Sequence, residues 1–138
     1  MNAVNTLSEA QILAQLQALT QGLYYRSESD YPLEVVQYIV PVATELTITQ
    51  ARAFLQAPTS EPMEIKDLPY FFRPVTKGGD ADPESMPNRF RALAAFLEQQ
   101  LEGLKVYRLG KYEIQTYVLG KLNPQTYIGL KTTVIETE

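Results

Sequence analysis

Three runs of alternating apolar and polar residues in the last third of the sequence constrain the fold more than any other feature. They cover residues 105–109, 112–119 and 126–136, and only short connections, at residues 110–111 and 120–124, separate them. Alternation with a period of two is typical of β-strands that bury one face. Because short connections join antiparallel neighbours, the sequence predicts a C-terminal three-stranded meander.

Apolar residues spaced three and four apart predict two longer helices ahead of this meander. The first covers residues 8–21, where Ser8 and Gln11 form a capping box at its start. The second starts between residues 85 and 87, and its apolar stripe continues as far as Gly103. Each helix then has one apolar face to bury.

The region between these helices carries signals for short elements and loops. Residues 33–40 and 63–67 are strand candidates. Residues 23–32 have the composition of an ordered turn or loop, and residues 74–87 that of a surface loop.

Two short helices are predicted from residues that cap helix N-termini. Thr47 and Gln50 offer a capping box for a helix through Leu55. Asp67 caps a further helical turn, which is expected to carry three aromatic side chains inward: Tyr70, Phe71 and Phe72.

Length and composition are those of a single folded domain. The chain has 138 residues, of which 45% are apolar, and we expect one domain over residues 1–138. Helices followed by a sheet predict an α+β fold in which helices cover the sheet. No apolar stretch approaches the roughly 20 residues that span a bilayer. Since the chain also lacks cysteines and a signal peptide, we expect a cytoplasmic protein.

Composition also argues against several functional classes. The absence of histidine and cysteine removes the commonest general base, the thiolate nucleophile and the nitrogen and sulfur ligands of zinc. We therefore expect a protein that is not an enzyme and binds no cofactor. The net charge of −4 argues against direct binding to nucleic acid, which depends on clustered Lys and Arg.

Two groups of acidic residues resemble parts of known sites. Asp80, Asp82 and Glu84 are spaced like the first ligands of a calcium loop, but the glycine and glutamate that such a loop needs further on are absent. This absence favours a polar loop that leads into a helix. Glu28 and Asp30 offer the carboxylate pair of a hydrolase, although acids in loops are usually solvated charge.

Two acidic clusters have a second interpretation. One comprises residues 27–30 with Glu34 nearby, and the other comprises Glu136, Thr137 and Glu138 at the end of the last predicted strand. They are either solubilising surface or carboxylates that imitate phosphate groups and enter a partner's basic, cation-bearing cleft. The second interpretation describes an inhibitor of a nucleic-acid enzyme.

Several stretches, taken together, resemble the nuclease A inhibitor family and span most of the chain. An acidic loop and the strand after it, a middle section and a final hairpin each match in order. The matching residues are Gly22-Leu23, Ser27-Glu28-Ser29-Asp30-Tyr31-Pro32, Glu34-Val35, Phe71-Phe72, Val106-Tyr107-Arg108-Leu109-Gly110, Tyr117-Val118-Leu119-Gly120, Gly129, Thr132, Val134, Glu136 and Thr137.

The resemblance implies a three-layer α/β/α sandwich with a mostly antiparallel sheet. It also implies a tight protein inhibitor of a sugar-nonspecific, metal-dependent DNA/RNA endonuclease. By position, Glu28 and Thr137 are the residues that meet the nuclease active site, and Thr137, or Glu138 in its place, approaches the partner's magnesium. The chain departs from the family in that Glu138 follows Thr137 and no tryptophan is present.

We therefore expect five partner-binding residues, no metal site of the chain's own and no contact with membranes. The five are Glu28, Asp30, Glu136, Thr137 and Glu138. The alternative is an acidic protein-interaction module of the same fold whose partner is not a nuclease.

Overall fold

The computed structural model describes residues 7–40, 48–55, 60–78 and 81–137. Within these ranges the helices are α1 (Glu9–Thr20), α2 (Ile48–Leu55), α3 (Leu68–Phe72) and α4 (Met86–Gln100), and a 3-10 turn spans Arg73–Val75. The strands are β1 (Tyr24–Arg26), β2 (Asp30–Pro32), β3 (Glu34–Ile39), β4 (Met63–Lys66), β5 (Glu102–Leu109), β6 (Glu113–Asn123) and β7 (Thr126–Ile135). No helix in the described ranges is both long enough and apolar enough to cross a membrane.

Five strands form one antiparallel sheet in the order β3-β7-β6-β5-β4. The pairing of β5 with β6 and of β6 with β7 confirms the predicted meander. The remaining strands, β1 and β2, pair with each other in a separate hairpin. The fold is therefore mixed α+β, as the sequence predicts.

Alternate residues of the central strands reach two separate apolar clusters. On β6, Ile114 and Val118 belong to one cluster, and Tyr117 and Leu119 belong to the other. Because successive side chains of a strand point to opposite faces, the two clusters lie on opposite faces of the sheet. The first cluster also contains buried residues of α1, α3 and α4, and the second contains Ala51 of α2.

Helix α1 begins with the capping box that its sequence predicts. The Gln11 N–H donates to Ser8 Oγ at 3.1 Å, and the Ser8 N–H donates to Gln11 Oε1 at 2.8 Å. Ile12 and Leu16 lie fully buried on its inner face, which fixes the helix against the first cluster. The cap predicted for α2, Thr47, lies outside the described residues.

Helix α3 matches the prediction in position but not in the direction of every aromatic side chain. The Asp67 carboxylate caps it by accepting from the Tyr70 N–H at 3.0 Å. Leu68, Phe71 and Phe72 are buried together because residues three and four apart share one helix face. Tyr70 lies off that face and is 37% exposed, so the prediction that it points inward is wrong.

Helix α4 starts at Met86, as predicted, but ends earlier than its apolar stripe indicates. The last helical residue is Gln100, and β5 already begins at Glu102. Gly103 adopts a positive φ of 62°, next to a shift in the β5–β6 register between Glu102 and Lys105. The prediction that the helix continues to Gly103 is therefore wrong, because pairing with β6 competes with the helix for these residues.

Strand β6 runs through most of the predicted loop at residues 120–124 and ends at Asn123. Gly120 is suited to this strand because two leucine side chains, those of Leu101 and Leu104, pack close to its backbone. A Cβ atom there would lie 2.7 Å from a side-chain atom of Leu101 and 2.7 Å from one of Leu104. This glycine therefore permits close packing and not a turn, and the connection is reduced to residues 124–125.

Candidate functional site at the hairpin turn and the tail

Residues 23–32, predicted as a turn or loop, contain the β1–β2 hairpin instead. The register pairs Arg26 with Asp30 and leaves residues 27–29 as the turn. The Ser27 N–H and hydroxyl both donate to the Ser29 carbonyl, at 3.2 and 2.9 Å, and so hold the turn in shape. The strands were missed because each has only three residues, too few for a period of two to be recognised.

Both strands of the hairpin are attached to the body of the protein. The Tyr25 hydroxyl donates to the Phe71 carbonyl at 2.7 Å, and the two rings stack with centroids 4.4 Å apart. Burial raises the pKa of Tyr25 to about 12, so this hydroxyl remains a donor even in moderately alkaline solution. From β7, the Thr132 hydroxyl donates to the Pro32 carbonyl at 2.9 Å. The turn therefore projects from an anchored base.

The hairpin turn lies beside the end of β7. The Ile135 N–H donates to Ser27 Oγ at 3.0 Å, and the Glu28 N–H donates to the Ile135 carbonyl at 3.4 Å. These contacts bring the turn alongside the segment that follows β7, which we call the tail (residues 136 and 137). We call residues 27–30 together with residues 136 and 137 the tip.

Glu28 and Thr137 are joined by two hydrogen bonds within the tip. The Thr137 hydroxyl donates to Glu28 Oε1 at 2.6 Å, and the Thr137 N–H donates to Glu28 Oε2 at 3.1 Å. The two residues are 109 positions apart in the chain, and both are exposed. The fold thus brings together the two residues that the family resemblance singled out.

These hydrogen bonds favour the ionised form of the Glu28 carboxylate. The Thr137 hydroxyl, and after it the Thr137 N–H, lowers the pKa of Glu28 because both donors favour the charged form. Each carboxylate oxygen has two lone pairs and accepts one of these two bonds. Each oxygen therefore retains the capacity to accept a further donor or to approach a cation.

Glu136 occupies a different environment from Glu28. Its Oε1 accepts from Arg108 Nη2 at 2.9 Å, and its N–H donates to the Tyr112 carbonyl at 2.8 Å. Arg108 is 7% exposed and is the only charged residue that is buried in the described part of the chain. The charge of Glu136 is therefore compensated within the protein.

The other two predicted site residues have less defined surroundings. Asp30 is exposed at the start of β2, directly opposite Arg26. Glu138 lies outside the described residues. The fold thus gathers Glu28, Glu136 and Thr137 at one place, with Asp30 two positions along the hairpin from Glu28.

The remaining acidic candidates make local contacts. Asp80 lies outside the described residues, whereas Asp82 Oδ1 accepts from the Glu84 N–H at 2.9 Å, a turn contact ahead of α4. Among residues 7–40, 48–55, 60–78 and 81–137, no group of three or more acidic, His or Cys side chains is arranged to hold a metal ion. The lowered pKa of Glu28 is the opposite of what a general acid needs.

Two residues that organise the tip were not predicted as part of the site. Ser27 was quoted only as part of the acidic loop, and its hydroxyl links the turn to β7. Arg108 follows Val106 by two positions on β5, so it shares the face that carries a core residue. The sequence signal for Arg108 was a single cation on an otherwise apolar strand face. Because a buried charge requires a partner, this pattern indicates that an acidic residue lies near Arg108 in the fold.

Comparison with models of known protein families gives a match over most of the chain. The sequence model of the family described as nuclease A inhibitor-like protein matches residues 10–137. No curated protein sequence matches the chain significantly. The matched range includes both halves of the tip, the hairpin turn and Thr137.

Proposed function

Because this chain belongs to the nuclease A inhibitor-like family, we propose that it inhibits a sugar-nonspecific, metal-dependent DNA/RNA endonuclease by filling the active site with its tip. The target is a protein, and the chain acts without a cofactor or a metal of its own. Glu28 and Thr137 carry the contact, Asp30 and Glu138 add negative charge, and Glu136 orders the tail.

The single observation that carries this proposal is the contact between Glu28 and Thr137. A tip that imitates a nucleic-acid backbone needs its oxygens close enough to enter one cleft. The carboxylate of Glu28 and the hydroxyl of Thr137 are 2.6 Å apart, and both groups are exposed. Their juxtaposition presents three side-chain oxygens on one small surface.

The chemistry of these oxygens suits a nuclease active site that holds Mg²⁺. Hard cations prefer carboxylate and other oxygen ligands, as they prefer substrate phosphate. The net charge of −4 also attracts the chain to a basic cleft and speeds association. An ionised Glu28, already ordered by Thr137, loses little conformational freedom when the complex forms.

Family membership and the two apolar clusters also support an inference about the fold. We infer the three-layer α/β/α sandwich of the family, since helices α1 and α4 contribute to one cluster and α2 contributes to the other. We also infer a cytoplasmic protein from the lack of cysteine. A sandwich of this kind is a rigid support for the tip.

The test is an inhibition assay with the purified protein and a metal-dependent, sugar-nonspecific nuclease from the same organism. We expect DNA and RNA cleavage to stop at a molar excess of the protein. Glu28→Ala is expected to weaken inhibition by tenfold or more, since a lost contact of about 1.4 kcal/mol or more corresponds to that factor. Truncation after Glu136, which removes Thr137 and Glu138, is expected to weaken it similarly.

Glu98→Ala serves as the matched control, because Glu98 is an exposed glutamate on α4 and its removal changes the net charge equally. Its inhibition should equal that of the unmodified chain. Undiminished cleavage with excess unmodified protein would refute the proposal. Capture of a partner other than a nuclease, at the same surface, would instead support the interaction module.

A further inference from the structure

We infer that Arg108 is a positioning residue for the tip, and that it acts by holding Glu136 so that the next residue, Thr137, meets Glu28. This inference rests on the proposed function only for its effect on a nuclease. The ordering of the tail belongs to the free protein and can be measured there.

The surroundings of Arg108 single out Glu136 as its main partner. Two carboxylates face the buried guanidinium: Glu136 Oε1 lies 2.9 Å from Nη2, and Glu64 Oε1 lies 3.5 Å from Nε. The shorter distance is that of a charge-assisted hydrogen bond, whereas the longer one exceeds the normal range for an N–H donor. Nε has no hydrogen-bond partner among the described residues, so Glu64 contributes only Coulomb attraction.

The position of Arg108 is itself fixed. Its side chain is 8% exposed, it extends from a strand paired on both sides, and its guanidinium lies 5.2 Å from the centre of the Tyr70 ring. A buried cation loses its solvation and therefore gains most from a partner that it can hydrogen-bond. The exposed carboxylate of Glu136 thus binds to a guanidinium whose position is restricted by burial and by strand pairing.

The contacts that hold Glu136 restrict the positions that Thr137, the next residue, can occupy. The Glu136 N–H is also bonded to the Tyr112 carbonyl, so both the side chain and the backbone of this residue are fixed. One residue spans only about 3.5 Å. With Glu136 held, Thr137 stays within hydrogen-bonding distance of the Glu28 carboxylate. Thr137 then loses less conformational entropy when it forms these hydrogen bonds than it would in a free tail.

Glu64→Ala and Glu136→Ala form a matched pair for the test, because each removes one carboxylate that faces Arg108. Both variants are expected to lose some stability, which is the effect of a purely structural role. The discriminating measurement is the NMR titration of the Glu28 carboxyl group in the free protein. In Glu136→Ala, we expect the pKa of Glu28 to rise toward its ordinary value, because the Thr137 donors are lost.

The direction of this shift separates positioning from simple charge removal. Deleting the negative charge of Glu136 would, by Coulomb's law, lower the pKa of Glu28 further, which is the opposite sign. The chain truncated after Glu136 provides the reference for a Glu28 without Thr137. A titration of Glu28 in Glu136→Ala that matches the unmodified chain, or moves lower, overturns the inference, and so does a rise in Glu64→Ala of equal size.

A nuclease inhibition assay with the same variants tests whether the positioning of Thr137 matters for function. We expect Glu136→Ala to weaken inhibition about tenfold and Glu64→Ala to leave it within about twofold. In the chain truncated after Glu136, the further change Glu136→Ala should have no added effect, because the residue it positions is gone. Additive losses would overturn the inference, whereas an unmodified chain that inhibits no nuclease would refute the proposed function and leave the NMR result standing.

Discussion

Replacing Tyr25 by Phe tests whether the hairpin is held to the core by the hydroxyl that donates to the Phe71 carbonyl. The hydroxyl lies 2.7 Å from this carbonyl, and Tyr25 is 5% exposed, so no bulk water replaces the lost bond. A buried hydrogen bond contributes about 0.5–1.5 kcal/mol, and an acceptor left unsatisfied costs about 1–3 kcal/mol. We therefore expect Tyr25→Phe to lower the free energy of unfolding by about 1.5 kcal/mol.

Urea denaturation followed by circular dichroism measures this change, and thermal unfolding should show a decrease of about 5 °C for a chain of this size. Tyr24→Phe is the matched control because the adjacent tyrosine is 45% exposed, and its unfolding free energy should change by less than about 0.5 kcal/mol. Equal effects for the two variants would refute the reasoning. Inhibition measured well below the melting temperature should be retained, since the ring of residue 25 still packs on Phe71.

Two further predictions concern charge and close packing. The depressed pKa of Glu28 means that its contribution to stability is present above its ordinary value of 4.5 and is lost as the pH falls through the lowered value in the folded state. The difference in melting temperature between Glu28→Gln and the unmodified chain should therefore be seen at pH 7 and vanish in strong acid; a difference that grows in acid would contradict this. Gly129→Ala is expected to cost about 4 kcal/mol or more, or to prevent folding, because the added Cβ would lie 1.7 Å from the Val118 carbonyl oxygen. A folded Gly129→Ala protein with the stability of the unmodified chain would show that β6 and β7 do not pack as closely as the 1.7 Å distance implies.

Features that depend on neighbouring residues were predictable from the sequence. The capping box at Ser8 and the Asp67 cap are interactions between residues three apart, so their chemistry is visible in a short window. The meander was predictable because alternation and short connections together specify antiparallel neighbours. Errors occurred where two structures compete for the same residues, as at Gly103, where a helical apolar stripe is interrupted by strand pairing.

The candidate site was predictable in its residue types but not in its construction. Acidic residues in a loop and in the tail indicated a negatively charged surface, and the family resemblance selected Glu28 and Thr137. No local pattern indicates that the hydroxyl of Ser27 accepts from the Ile135 N–H, or that Arg108 is buried opposite Glu136. These contacts join positions that are distant in the chain, and only the packing of the hairpin against β7 brings them together.

The sequence by itself determined where the two longer helices and the C-terminal meander form, the excess of negative charge and the lack of histidine and cysteine chemistry. These properties follow from residue identity and from spacing over a few positions. Only the tertiary structure decided that a turn near the start of the chain and the segment after the last strand form one surface. The physical reason is that β7 is an interior strand whose position is fixed by pairing with both β3 and β6. Because β3 is antiparallel to β7, the start of β3 lies near the end of β7. The hairpin that precedes β3 therefore lies beside the tail.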